Sequence, residues 1–62
     1  MKRIAILSGG STAEAFEVLG KKGIQWNIDF QELLYDVVRV NDSDEKQALA
    51  ALIAAGFLVS SN

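Results

Sequence analysis

The sequence predicts a small α+β domain in the order strand, helix, strand, strand, helix, strand. Three observations carry this reading. The run Ile24 to Phe30 alternates apolar and polar residues with a period of two. Two segments, one starting at Ser11 and one at Asn41-Asp42-Ser43-Asp44, join helix-start residues to an apolar stripe and a closing glycine. Short apolar runs, Arg3 to Leu7 and Phe57 to Ser60, sit before the first helix and after the second.

Taken in order, Arg3 to Leu7 reads as a strand that Ser8-Gly9-Gly10 breaks. Ser11-Thr12-Ala13-Glu14 matches a capping box, with a hydroxyl at the N-cap and a carboxylate three residues on. The helix that follows runs through about Lys21, with Ala15, Phe16, Val18 and Leu19 as its apolar face. Gly20 and Gly23 are its stop signals, and Lys21 and Lys22 lie near the negative end of its dipole. In the next strand Ile24, Trp26, Ile28 and Phe30 face a core, while Gln25, Asn27 and Asp29 face water. One wet face suits an antiparallel or mixed sheet.

Gln31 to Val40 admits two readings. As a helix it would place Phe30, Leu33, Leu34, Val37 and Val38 on one face. As a strand, Tyr35 to Val40 is rich in β-branched and aromatic residues. That content favours a turn near Gln31-Glu32 and then a strand ending at Val40. Asn41 to Asp44 starts a second helix, with Asp44 and Glu45 at its positive end. Gln47 to Ala55 continues it, with Leu49, Leu52 and Ile53 as the core face and Gly56 as the closing residue. This is the split βαβ order of ferredoxin-like folds, βαββαβ, with one sheet and two helices on one face. With residues 30–40 helical, the chain would instead be a small α/β domain.

The chain has 62 residues, half of them hydrophobic, which suits one domain over residues 1–62 with a thin core. There is no cysteine and no histidine. Disulfides and thiolate metal sites are therefore excluded, and the commonest metal ligand and general base are missing. Ser8, Ser11, Ser43, Ser60 and Ser61 have no histidine to activate them. No catalytic residue, metal site or cofactor is expected. A domain this small then draws support from self-association or a partner. The net charge of −2 argues against binding nucleic-acid phosphates. The longest apolar stretch, Ala48 to Val59, is shorter than a membrane span. A cytoplasmic protein of bacterial or phage type is expected.

Three groups of residues are candidates for function. Ser8, Gly9, Gly10, Ser11 and Thr12 form a strand-to-helix turn suited to a phosphate or carboxylate, with free backbone N–H groups at a helix start. The segment Lys2 to Glu14 resembles the N-terminal strand and glycine turn of D-alanine–D-alanine ligases. It is also loosely similar to the SGGxDS loop of ATP pyrophosphatases, with Thr12 where that loop has an acid. Both resemblances imply a nucleotide at the turn. Asp29, Glu32, Asp36, Asp42, Asp44 and Glu45 form the second group, against which only Arg39 stands in the same segment. Such a surface suits docking on a basic partner. The third group is the aromatic and branched residues around Trp26 and Tyr35, types enriched at interface hot spots. A sheet with helices on one face leaves its other face open to a second copy.

The expected function is a non-catalytic protein-interaction module, an inhibitor or adaptor that forms homo-oligomers. The alternatives are a phosphate or nucleotide sensor at the Ser8–Thr12 turn and, as the ligase resemblance implies, a fragment of a nucleotide-binding enzyme.

Overall fold

The computed structural model describes residues 1–7, 12–32 and 34–61. Its strands are β1 (Lys2–Leu7), β2 (Trp26–Gln31), β3 (Asp36–Val40) and β4 (Leu58–Ser61). Helix α1 (Thr12–Lys21) follows β1, and helix α2 (Glu45–Ala54) follows a 3-10 turn at Asp42–Asp44. The strands form one sheet in the order β2-β3-β1-β4, each antiparallel to its neighbour. The chain is thus a small α+β domain with one antiparallel four-stranded sheet and two helices.

Within the ambiguous segment, Asp36–Val40 is a strand, while Gln31, expected in the turn, ends β2. Val37, Val38 and Val40 belong to β3, which pairs with β1 on one side and β2 on the other. Before it, the Glu32 N–H donates to the Tyr35 carbonyl at 2.8 Å, closing a tight connection from β2. β-branched side chains suit this central position, which is buried on most of its length.

Both helices stop in the same way. Gly23 (φ 71°) and Gly56 (φ 94°) take the left-handed conformation just past each helix end. Ile24 N–H bonds the Leu19 carbonyl and Gly23 N–H that of Gly20; Phe57 N–H bonds Leu52 and Gly56 N–H bonds Ile53 in the same pattern. This 6→1 and 5→2 pairing satisfies carbonyls left free at the helix ends. Gly20 does not stop α1 but lies within it. At the start of α2, Asp44 makes no side-chain cap bond. The cap expected at Ser11 lies outside the described residues.

The core sits between the sheet and the helices. Ile4 and Ile6 of β1 and Val38 and Val40 of β3 meet Ala15 and Leu19 of α1 and Ala48 and Leu52 of α2. Two apolar faces differ from expectation. Ile53 is 61% exposed, and the buried face of α2 is Ala48, Ala51 and Leu52. The alternation in Ile24 to Phe30 does not hold throughout. Ile24 is buried before β2 begins, and a bulge between Ile28 and Phe30 shifts the register. Phe30 then pairs with Val37, so it points away from the helices, while Ile28 opposite Val38 points toward them.

Candidate functional site

The sheet face away from the helices carries the features that bear on function. Register places on this face Arg3, Ala5 and Leu7 of β1, Val37 and Arg39 of β3, and Leu58 and Ser60 of β4. The bulge adds both Asp29 and Phe30 of β2 to it. The face divides into two halves of different chemistry.

One half is ionic. Arg3 and Arg39 are direct cross-strand partners, a like-charge pair that would repel. Asp29 lies between them, its carboxylate 3.0 Å from Arg3 Nε and 2.9 Å from an Arg39 terminal nitrogen. Its side chain is 14% exposed, and its single charge offsets one of the two arginine charges. The other half is apolar. Ala5, Leu7, Tyr35, Leu58 and Ser60 line an open depression of about 350 Å³. Phe30 meets Tyr35 edge to face, with ring centroids 6.3 Å apart. Leu7, Phe30, Tyr35 and Leu58 are all exposed.

The acidic group predicted from sequence is not one surface. Asp29 is taken up by the two arginines. Asp36 opens β3 and is 3% exposed, so it contributes to no surface. Glu32 precedes β3 and Asp42 follows it, which sets them at opposite ends of that strand. Asp42, Asp44 and Glu45 remain together at the start of α2, where Asp42 also pairs with the Met1 ammonium at 3.2 Å. Trp26 is half-buried and stacks on Phe16 of α1 at 4.1 Å. It holds α1 against β2 and presents only part of its ring. Tyr35 is on the open face. Leu7 and Leu58, which line the depression, were not singled out by sequence. The available signal was parity, since each shares its strand face with a small residue, Ala5 or Ser60.

Of the predicted anion-binding turn, Ser8, Gly9, Gly10 and Ser11 lie outside the described residues; Thr12 begins α1. Among the described residues no group of acidic side chains is placed to hold a metal ion. No described helix is long and apolar enough to cross a membrane.

The chain is similar to the crystal structure of protein BT0572 from Bacteroides thetaiotaomicron, with a TM-score of 0.69 and 27% sequence identity. The match covers 98% of this chain and 46% of that one, so the chain spans just under half the length of its solved relative. No protein-family model matches the chain, and no curated protein does.

Proposed function

We propose that this chain is a non-catalytic protein-interaction module of ferredoxin-like order that binds through the open face of its sheet. The order β2-β3-β1-β4, with β3 between β1 and β2, supports the ferredoxin-like assignment. The observation that carries the function is the apolar half of the open face, where Leu7, Phe30, Tyr35 and Leu58 are exposed beside an ionic half. A contiguous exposed apolar patch rimmed by polar groups marks an interaction site more often than a solvated surface. Its aromatic pair supplies rigid contact area, as interface anchors do. An inhibitor or adaptor acting in the cytoplasm of a bacterium or phage-infected cell fits this reading. Asp42, Asp44 and Glu45, together at the start of α2, steer a basic partner without supplying the main affinity.

The test is capture from a lysate of the native host on immobilised protein. Leu7→Lys combined with Tyr35→Ala should lose the captured partner while circular dichroism stays unchanged. Charge reversal at Asp42, Asp44 and Glu45 should slow capture without abolishing it. A partner held equally well by both variants would sink the reading.

A further inference from the structure

We infer that the β4 edge is a self-association surface, on which a second copy of this chain adds its own β4 antiparallel to form a continuous eight-stranded sheet. The inference rests on the interaction-module reading and names its first partner.

The sheet has two edges, β2 and β4. An open edge presents unpaired backbone N–H and C=O groups and invites another strand unless it is blunted. The β2 edge is blunted twice. It carries a bulge between Ile28 and Phe30, and the charged Asp29 sits in that bulge. The β4 edge is short, at four residues, but is otherwise open. Leu58 to Ser61 pair with β1 in unbroken register, without bulge, proline or charge.

Charge selects the occupant. All fourteen charged side chains lie between Lys2 and Lys46, and residues 47–62 contain none. The loop at Gly56 and β4 therefore carry no charged side chain of their own, and Leu58 is among their exposed residues. A two-fold interface sets each surface against itself, so any charge near the axis meets its own kind. A neutral strand avoids that repulsion, whereas a surface shaped for a foreign partner gains steering and selectivity from charge. Pairing about an axis perpendicular to the sheet near Val59 and Ser60 keeps both helix layers on one side. It also joins the two apolar depressions, which Leu58 and Ser60 line.

The experiment is sedimentation of the full chain over a range of concentrations, with amide hydrogen exchange on the same samples. The wild-type chain is expected to be a dimer, and β4 amides not bonded to β1 are expected to exchange at least about tenfold more slowly in the dimer than on dilution to monomer. Ser60→Lys and Ser60→Asp, each folded by circular dichroism, should each be monomeric alone and form a dimer when mixed. A monomer at all concentrations overturns the inference. So does a dimer whose β4 amides stay unprotected, or one that both Ser60 variants leave intact. The lysate capture above scores the open face separately, so a monomer that still captures its partner through Leu7 and Tyr35 refutes only the self-association.

Discussion

At the level of single side chains, Asp29 does more than its sequence position suggests. Two arginines face each other across β1 and β3, and the β2 bulge delivers one carboxylate to both. Asp29→Asn leaves the arginines opposed without a counter-charge. Because both arginines are about half exposed, the expected loss is modest, about 1 kcal/mol by urea denaturation. The deficit should shrink in 1 M salt, where the Debye length falls to about 3 Å. Leu52 and Ile53 are adjacent in sequence and opposite in consequence. Leu52 is fully buried among β-sheet and helix residues. Leu52→Ala should cost about 2–5 kcal/mol, enough to leave so small a domain partly unfolded at 25 °C. Ile53→Gln should stay within about 0.5 kcal/mol, because the side chain is already in water. Thermal melts followed by circular dichroism separate the two.

At the level of elements, the helix ends and the bulge decide the geometry. Three glycines in or after helices look alike in sequence and behave differently. Gly23 and Gly56 hold positive φ, and open space surrounds the position a Cβ would take at each. Gly56→Ala therefore meets only backbone strain, and should destabilise by about 1 kcal/mol. Gly20 lies in α1 and a Cβ there meets nothing within 4 Å. Gly20→Ala should stabilise by about 0.5–1 kcal/mol, through the helix propensity of alanine. A urea titration that moved both variants in the same direction would contradict this assignment. The bulge in β2 has a comparable reach, since it turns Phe30 to the open face and brings it against Tyr35. A strict alternation would have left Phe30 beside Ile28 on the helix side, and the open face without its aromatic pair.

Over the whole molecule, one sheet face is closed by two helices and the other is left to solvent or a partner. The open face is polarised, ionic around Asp29 and apolar around Leu7 and Leu58. The charge distribution along the chain adds a second asymmetry, with no charged residue in β4. The double variant Leu7→Ser, Leu58→Ser removes exposed apolar area from the depression while touching none of the buried cluster. It should keep its melting temperature within a few degrees and bind less of an apolar fluorescent dye such as ANS. A fall in melting temperature of about 10 °C or more would instead make these leucines part of the core, given a shift of roughly 4–8 °C per kcal/mol in a domain this size.

The sequence by itself determined the element order, the strand character of Asp36 to Val40, the closing roles of Gly23 and Gly56, and the apolar face of α1. These follow from local rules of periodicity, β-branching and left-handed glycine, which act within a few residues. It also made metal, disulfide and histidine chemistry poor expectations from composition alone. The buried face of α2 was misread, because an alanine-rich helix has no strong stripe and contact with α1 and the sheet chose Ala48, Ala51 and Leu52 over Ile53. The acidic residues looked like one group only because they are near in sequence. Pairing of β3 with both β1 and β2 brought two arginines to Asp29, Asp36 is buried at the start of β3, and β3 itself separates Glu32 from Asp42. Strand order and register are long-range choices, made by which apolar residues can share one core. They, and not any local pattern, placed Leu7, Phe30, Tyr35 and Leu58 together on the face that is left open.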